Sequence, residues 1–430
     1  MGDYKHLIGK KLLILGGNPE TGELVNKARE LGVYTIVADP NKDAPAKVFA
    51  DKKYEIDGLD VHKLYHMAKQ EQVDGVLVGV ADILVPSYFQ LCEALNLPCY
   101  AGKNFITALT NKDGFMNSIR KYNIMGIPSF KLNENMYQKD INKIEYPVMI
   151  KPVDNGGGVG MSLCHSEVEL EEGVLKALKN SKQGVFLTEK FMDCDDMLVY
   201  YTFINGEIYL SAIADRVTTK KQGNLSPVCI AALYPSKYTD QYYKNIHPKM
   251  VKMFHGLGIN NGVLSVQFFV DNNTFYAYDP GFRLQGEAPH IMINAVNGFD
   301  HRSMLINFAL TGSMGGDDIV VRNDFLLKGK SACTLWVLVK AGKIKSIRGL
   351  DSIMQEKSVV HIMQRFTEGN EVLPTMMGNE KQVLARIYIV TDSREKLIRK
   401  IKEIKLRLSV NDELGNNMII DQLEARSVAM

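Results

Sequence analysis

Four polar groups stand close together at the end of one apolar stretch: Asp279, Arg283, Gln285 and Glu287, in the run LSVQFFVDNNTFYAYDPGFRLQGE from Leu264 to Glu287. Two alternating apolar runs, LSVQFFV and TFYAY, flank Asp271-Asn272-Asn273, which reads as a β-hairpin. Alternate side chains share one face of a strand, so Gln267 on the first arm can face Asp279 on the second. Burying such a cluster costs free energy unless its members are partnered or bind something. The plain alternative is a solvated strand end with a structural Arg–Asp pair.

A second constellation lies upstream, in YPVMIKPVDNGGGVGMSLCHSEVELEE. VMIKPV reads as a strand ending in Lys151, 154–160 as a glycine loop, and MSLCH as the returning strand. Ser166 and Glu169 form a capping box ahead of a helix from Glu167 to about Leu178. A P-loop would need Lys-Ser/Thr directly after the loop and then a helix, and a dinucleotide loop also runs into a helix. This one runs into a strand. Its backbone N–H groups can fold over a polyanion as a flap, with Lys151 adding a point charge for phosphates. A surface hairpin without a ligand is the alternative. Gly156, Gly157, Gly158 and Gly160, four glycines in five positions, carry an entropic cost that such a turn does not need.

The elements that must position these groups follow from the pattern. From Lys11 to about Leu109, strand-like runs (KLLILGG, YTIVADP, VDGVLVGV, LPCYAG) alternate with helical ones near 20–31, 61–70 and 83–95. That alternation argues for a parallel, doubly wound sheet. Gly16-Gly17-Asn18 does not keep dinucleotide spacing and reads as a tight strand-to-helix turn. His62 and His66 have metal-ligand spacing but no third ligand, and read as a solvated helix face. NKDGFMNSIRKYNIMGIPSF reads as a helix that opens with Lys112 and is ended by Gly126. After QGVFLTEKFMDCDDM, a second hairpin turns at Asn205-Gly206 and ends in Asp215-Arg216. A helix near 240–257 follows. From about Phe325, ACTLWVLVKAGKI and VLARIYIVTD read as strands of a separate layer, and 393–408 as a basic amphipathic helix whose cations make a solvated face.

With 430 residues, 46% hydrophobic and 23% charged, the chain is an ordinary globular sequence of about three domains. A net charge of +2 gives no global field for nucleic acid or an anionic membrane. The six cysteines are scattered without a CxxC pair, which suits reduced thiols. No run is long and apolar enough for a signal peptide or a span. The expectation is a soluble cytoplasmic protein.

Lys112, the strand with Lys151 and its glycine flap, LTEKFM, and the final hairpin with DPGFRLQGE occur in an order that resembles the ATP-grasp superfamily. The domain order is most similar to its biotin-carboxylase-type members. The resemblance implies an α/β chain: a Rossmann-like domain over 1–109, a split ATP-grasp domain of α+β type over 110–315, and a C-terminal β-rich α+β domain over 316–430. The small flap lobe would cover about 125–190 and the large lobe about 191–315. Carried over by position, Lys112 and Lys151 would contact ATP, and Gly156, Gly157, Gly158 and Gly160 would close over the triphosphate. Glu189, Lys190, Phe191 and Met192 would recognise adenine, with Asp196 as a ribose ligand. Gln267 and Asp279 would bind Mg2+ (or Mn2+), Arg283 would stabilise an acyl phosphate, and Glu287 would face substrate. Two positions depart from the pattern: Gln267 replaces an acid, and Gly281 replaces a ligand Asn. The missing charge gives up roughly 4 kcal/mol of attraction at about 4 Å before solvation offsets it. The implied activity is ligation of a small carboxylate to an amine, with ATP cleaved to ADP and phosphate. A carboxylating or formate-using enzyme acting on a nucleotide precursor, and an ATP-binding sensor or scaffold without turnover, are the other readings. The expected partners are small molecules, with neither nucleic acid nor membrane; the carboxylase-like branch leaves a homodimer open.

Overall fold

The computed structural model describes residues 4–132, 141–153, 159–219, 227–315, 319–420 and 423. The first unit is a parallel sheet of β1 (Lys11–Leu15), β2 (Tyr34–Ala38), β3 (Lys52–Tyr54) and β4 (Gly75–Val78), in the order β3-β2-β1-β4. β1 and β4 are buried almost throughout, as strands covered on both faces must be. The turn after β1 needs its glycines: Gly16 has φ +91°, and a Cβ on Gly17 would lie 2.5 Å from Ala44. Asn18 then caps the helix Pro19–Glu30 by accepting from Thr21 N–H. Asp39 accepts from Asn41 N–H in its own turn. His62 and His66 lie 3.1 Å apart on an exposed face. LPCYAG is not a strand: the Tyr100 N–H donates to the Tyr88 hydroxyl, so a side chain replaces a strand partner there.

The helix that opens with Lys112 spans Lys112–Lys121 and stops short of Gly126, which instead lies in the two-residue strand β5 (Met125–Gly126). A small lobe follows, built of β6 (Ser129–Phe130), β7 (Val148–Pro152), β8 (Ser162–Cys164) and β9 (Phe186–Lys190), in the order β6-β9-β7-β8. The helix Glu167–Lys179 packs on it, capped by Ser166, whose hydroxyl accepts from Glu169 N–H. Val148, Ile150, Cys164, Leu170, Val174 and Ala177 form its own core, apart from the main one.

The hairpin β10 (Asp195–Ile204) and β11 (Glu207–Thr218) turns at Asn205-Gly206, both at positive φ. β12 (Cys229–Tyr234), β13 (Gly262–Asp271) and β14 (Thr274–Gly281) complete the second lobe. The helix expected near 240–257 is two, Thr239–Asn245 and His247–Leu257. Pro248, at the start of the second, has no N–H to continue the first.

The C-terminal strands are β15 (Ser331–Leu338), β16 (Gly342–Arg348), β17 (Val359–Gln364), β18 (Glu371–Val372), β19 (Val383–Thr391) and β20 (Ser409–Asp412). β15 and β19 do not form a separate layer. β15 pairs with β12, so one sheet of nine strands runs β17-β19-β15-β12-β11-β10-β13-β14-β5. The hydrogen-bonding edge of β12 had to be covered, and no periodicity announces which strand does it. β18-β16-β20 is a small separate sheet. Among the described residues no helix is long and apolar enough to cross a membrane.

Candidate active site

The β13–β14 hairpin turns through Asn272 and Asn273, at φ 46° and 63°, the left-handed values a two-residue hairpin turn requires. Gln267 and Asp279 are direct cross-strand partners. The next pair is Phe268 with Ala277, so Tyr278 is an extra residue in the ladder. This β-bulge re-aims the end of the strand toward the cleft.

At one end of the cleft is Asp279, open to solvent yet surrounded by protein groups. Burial by that surround lifts its carboxyl above the usual range, Asp82 adds to the lift, and Lys112, Lys151 and Arg283 oppose it. Five groups from four parts of the chain therefore share one electrostatic neighbourhood. Arg283 forms an ion pair with Asp82, and donates to the Leu284 carbonyl at 3.0 Å. Burial works against its charge, but Asp82 and Asp279 outweigh it and keep it cationic. Gly281 has a steric reason: a Cβ there would come within 3.3 Å of the Arg283 guanidinium. Lys151 forms an ion pair with Glu189 across the small lobe. Lys151 opposes Leu187 and Glu189 opposes Met149, so the pair is a diagonal one.

Arg216 is the hub of a second network. It pairs with Asp196 at 2.5 Å and with Glu287 at 2.7 Å, and Nη1 lies 3.3 Å from both Gln267 Oε1 and the Tyr278 hydroxyl. Tyr278 also donates to Asp196 at 3.0 Å. Burial pushes Asp196 up to about 6, against the pull of Arg216. Burial opposes the charge of Arg216 too, yet Asp196 and Glu287 more than compensate.

The remaining sequence-chosen residues are spread around this cleft. Glu189 is buried, Lys190 exposed, and Phe191 and Met192 half-buried where the chain leaves β9. Gly160 is buried at φ +77°, and a Cβ would press on Pro152 and Asn180 at 2.8 Å. Gly156, Gly157 and Gly158 lie outside the described residues. Asp196 meets Arg216 and Tyr278. Sequence reasoning gave no role to Asp82, Arg216, Tyr278 or Arg386. Asp82 carried a signal, an acid just past the carboxyl end of β4, where open α/β sheets place ligands. Arg386 is buried in β19 and donates to the Gly286 carbonyl at 2.5 Å; nothing local in ARIYIV marks it.

Residues 111–313 match the family described as carbamoyl-phosphate synthase L chain, ATP binding domain. Residues 111–313 thus carry an ATP-binding domain of the ATP-grasp superfamily. A curated relative, the formate-dependent phosphoribosylglycinamide formyltransferase of Bacillus subtilis, is 23% identical over 62% of this chain and 69% of its own length. Its counterpart from Prochlorococcus marinus is 30% identical over 45% of this chain, and is matched over 50% of its length. The chain thus spans between about half and about two thirds of such relatives. Among solved structures, an L-amino acid ligase from Bacillus licheniformis superposes with a TM-score of 0.77 at 18% identity, covering 94% of this chain and 99% of that one. The biotin carboxylase domain of Hydrogenobacter thermophilus 2-oxoglutarate carboxylase, a complex with MgADP and bicarbonate, gives 0.74 at 15% identity, with 96% and 91% covered. The ATP-grasp fold accounts for the whole arrangement: a parallel leading sheet, a small lobe and a large antiparallel sheet. The superfamily relatives are ligases that cleave ATP to ADP and phosphate through acyl phosphates.

Proposed function

We propose that this ATP-grasp chain joins a carboxylate that also bears a protonated amine to a second amine, through an acyl phosphate. The observation that carries this reading is a set of polar atoms without partners among the described residues. Asp82 Oδ1, Glu287 Oε2 and Arg283 Nε are each buried and unsatisfied. Such atoms are rare in native proteins because each forfeits its hydration. Two orphaned carboxylate oxygens call for donors, as an ammonium group supplies, and one orphaned guanidinium N–H calls for an acceptor, as a carboxylate supplies. The Val80–Asp82 loop reaches this place: a Cβ on Gly286 would lie 3.2 Å from Val80.

In this reading Lys112 and Lys151 hold the nucleotide phosphates, and Arg283 orients the reacting carboxylate and steadies the charge that develops on it. Glu287, fixed by Arg216 through one oxygen, turns the other toward the incoming amine and accepts its proton. Glu189, Lys190, Phe191, Met192 and Gly160 stand where the adenine and the flap would be. For magnesium the donor set fits in part. Asp279 is solvent-open, and one carboxylate plus nucleotide phosphates is a common Mg2+ shell. Gln267 turns its carbonyl oxygen to Arg216, so Asp279 is the residue that would hold the ion. The metal would supply charge neutralisation between phosphates.

A second reading, formate-dependent transfer to a phosphoribosyl substrate, is favoured by the curated relatives. The site's charge balance speaks against it. The sequence shows no basic cluster beside DPGFRLQGE, but Arg302, Arg365 and Arg386 gather behind Glu287 from elsewhere in the chain. All three are already paired, with Asp300 and Glu23, with Glu20, and with Glu20 and Glu380. Among the described residues these three arginines leave no unneutralised cation there to grip a phosphate. The test is ADP release from Mg-ATP with pairs of amino acids, with formate plus phosphoribosylglycinamide, and with bicarbonate. Turnover with amino acids alone is expected. Turnover only with formate would replace this reading by the second, and tight Mg-ATP binding without turnover by the sensor.

A further inference from the structure

The basic helix Arg394–Arg407 takes no part in the ligase cleft, yet one of its faces lines a groove of about 440 Å³. Five cations reach this groove from three separate segments: Lys330 ahead of β15, Lys357 ahead of β17, and Lys396, Arg399 and Lys400 on the helix. Among the described residues only Asp392 and Glu403 oppose them within it. Asp392 takes Lys396 at 2.9 Å and Lys330 at 3.9 Å, and Glu403 takes Lys400 at 2.5 Å. Lys357 and Arg399 have no carboxylate partner within ion-pair distance among the described residues.

The cations are held in place from behind. Glu356 binds Lys400 at 2.7 Å and also pairs with Arg407, tying the helix to the segment that carries Lys357. The Ser358 carbonyl accepts from Val390 N–H at 2.8 Å, fixing the same segment to β19. The convergence is therefore preset rather than assembled from three loose segments. Among the described residues no aromatic side chain lines the groove, so they offer no platform on which a nucleic-acid base could stack.

We infer that this groove binds a small, phosphate-rich anion and acts as a regulatory site of the enzyme. The volume suits a compact ligand, and lysine and arginine together supply point charges and a fork for phosphate oxygens. Its route to the ligase cleft is a single strand. β19 ends in the groove at Val390 and Thr391, while its Arg386 and Tyr388 contact the carbonyls of Gly286 and Glu287 at 2.5 and 3.3 Å.

Inorganic tripolyphosphate is the probe, titrated calorimetrically into the full chain at low salt, with ADP saturating the nucleotide site. One site per chain is expected, weakened at least about tenfold in Lys357→Ala/Arg399→Ala and further in Lys357→Glu/Arg399→Glu. Unchanged affinity in both variants, or loss of binding when ADP is present, overturns the proposal. So does a single-stranded oligonucleotide that binds the same residues more tightly than tripolyphosphate. Thermal melting of each variant separates a lost site from a lost fold. This binding measurement does not depend on the ligase reading. With an active substrate pair, tripolyphosphate is expected to change the rate of ADP release in the parent and not in the alanine variant, whose rate without the anion matches the parent's. A rate indifferent to the filled groove overturns the regulatory role.

Discussion

The small lobe and the nine-stranded sheet each contribute one side of the cleft, but they are stabilised very differently. The small lobe has a handful of core residues of its own, around Val148, Ile150 and Val174, and brings Lys151 and Glu189. The large sheet shares one continuous core with the leading parallel sheet and the small C-terminal sheet, and brings Asp196, Arg216, Gln267 and Asp279, with Glu287 just past its strand β14. A body with few buried contacts can open locally at little cost, whereas one inside the main core opens only with the whole molecule. The residues proposed to meet the nucleotide from this lobe, Lys151 and Glu189, thus sit on the part that opens more easily, and those proposed for the chemistry sit on the part that does not.

Replacing the hub should hurt most. Arg216→Met would leave Asp196 and Glu287 buried without their cation, and is expected to lower global stability by about 3–5 kcal/mol, read from denaturant unfolding. Little change in the midpoint would show that the large sheet is not locked by this network. The second effect is a pH slope. His301, buried behind the same sheet with Nε2 2.6 Å from the Thr202 hydroxyl, is held by burial at about 4. Between pH 6.5 and 4 the unfolded chain takes up a proton that the folded chain refuses. The stability tied to this group is intact above pH 6.5 and is lost as the pH falls, by about 3 kcal/mol. Melting curves across that range should show the slope, and His301→Gln should flatten it.

Asp279→Asn tests the cleft rather than either body. ADP release should fall at least about a hundredfold, roughly 2.7 kcal/mol in the barrier. Because Asp279 is solvent-open, the melting temperature should hardly move. A wild-type rate in this variant would remove Asp279 from the chemistry. The smallest effect is the sharpest test of the comparison. Ile150→Val and Ile213→Val make the same deletion, each about 0.5–1.5 kcal/mol, in the small lobe and in the large sheet. Amide exchange should speed up only across 148–190 for the first, and throughout the slowest amides of the large sheet for the second. Identical exchange patterns would mean that the two bodies open together.

What the sequence disclosed follows from how local each signal is. The β13–β14 hairpin was legible because Asn272-Asn273 fixes the turn, but alternation from that turn alone would set Gln267 opposite Tyr278, and it is the bulge that brings Asp279 there. The small-lobe helix was legible from Ser166 and Glu169. The Arg216 hub was not, since its partners Asp196, Gln267, Tyr278 and Glu287 come from three other segments and meet only once the sheet is assembled. Asp82 and Arg283 are likewise 201 positions apart. The bulge at Tyr278 escaped because TFYAYDP keeps its alternation while gaining one residue. LPCYAG misled because apolar composition alone does not supply a strand partner.

The strand order of the large sheet bears on how the chain can be made and cut. β12 is a wholly buried strand flanked on one side by β11, made just before it, and on the other by β15, which begins nearly a hundred positions later. During synthesis, or in any fragment that stops before Ser331, that side of β12 is an open, apolar template for another strand. A fragment ending near 315 should therefore associate with copies of itself, and one carried through Thr391 should not. The C-terminal strands would serve as the internal chaperone of the sheet that carries the Arg216 network.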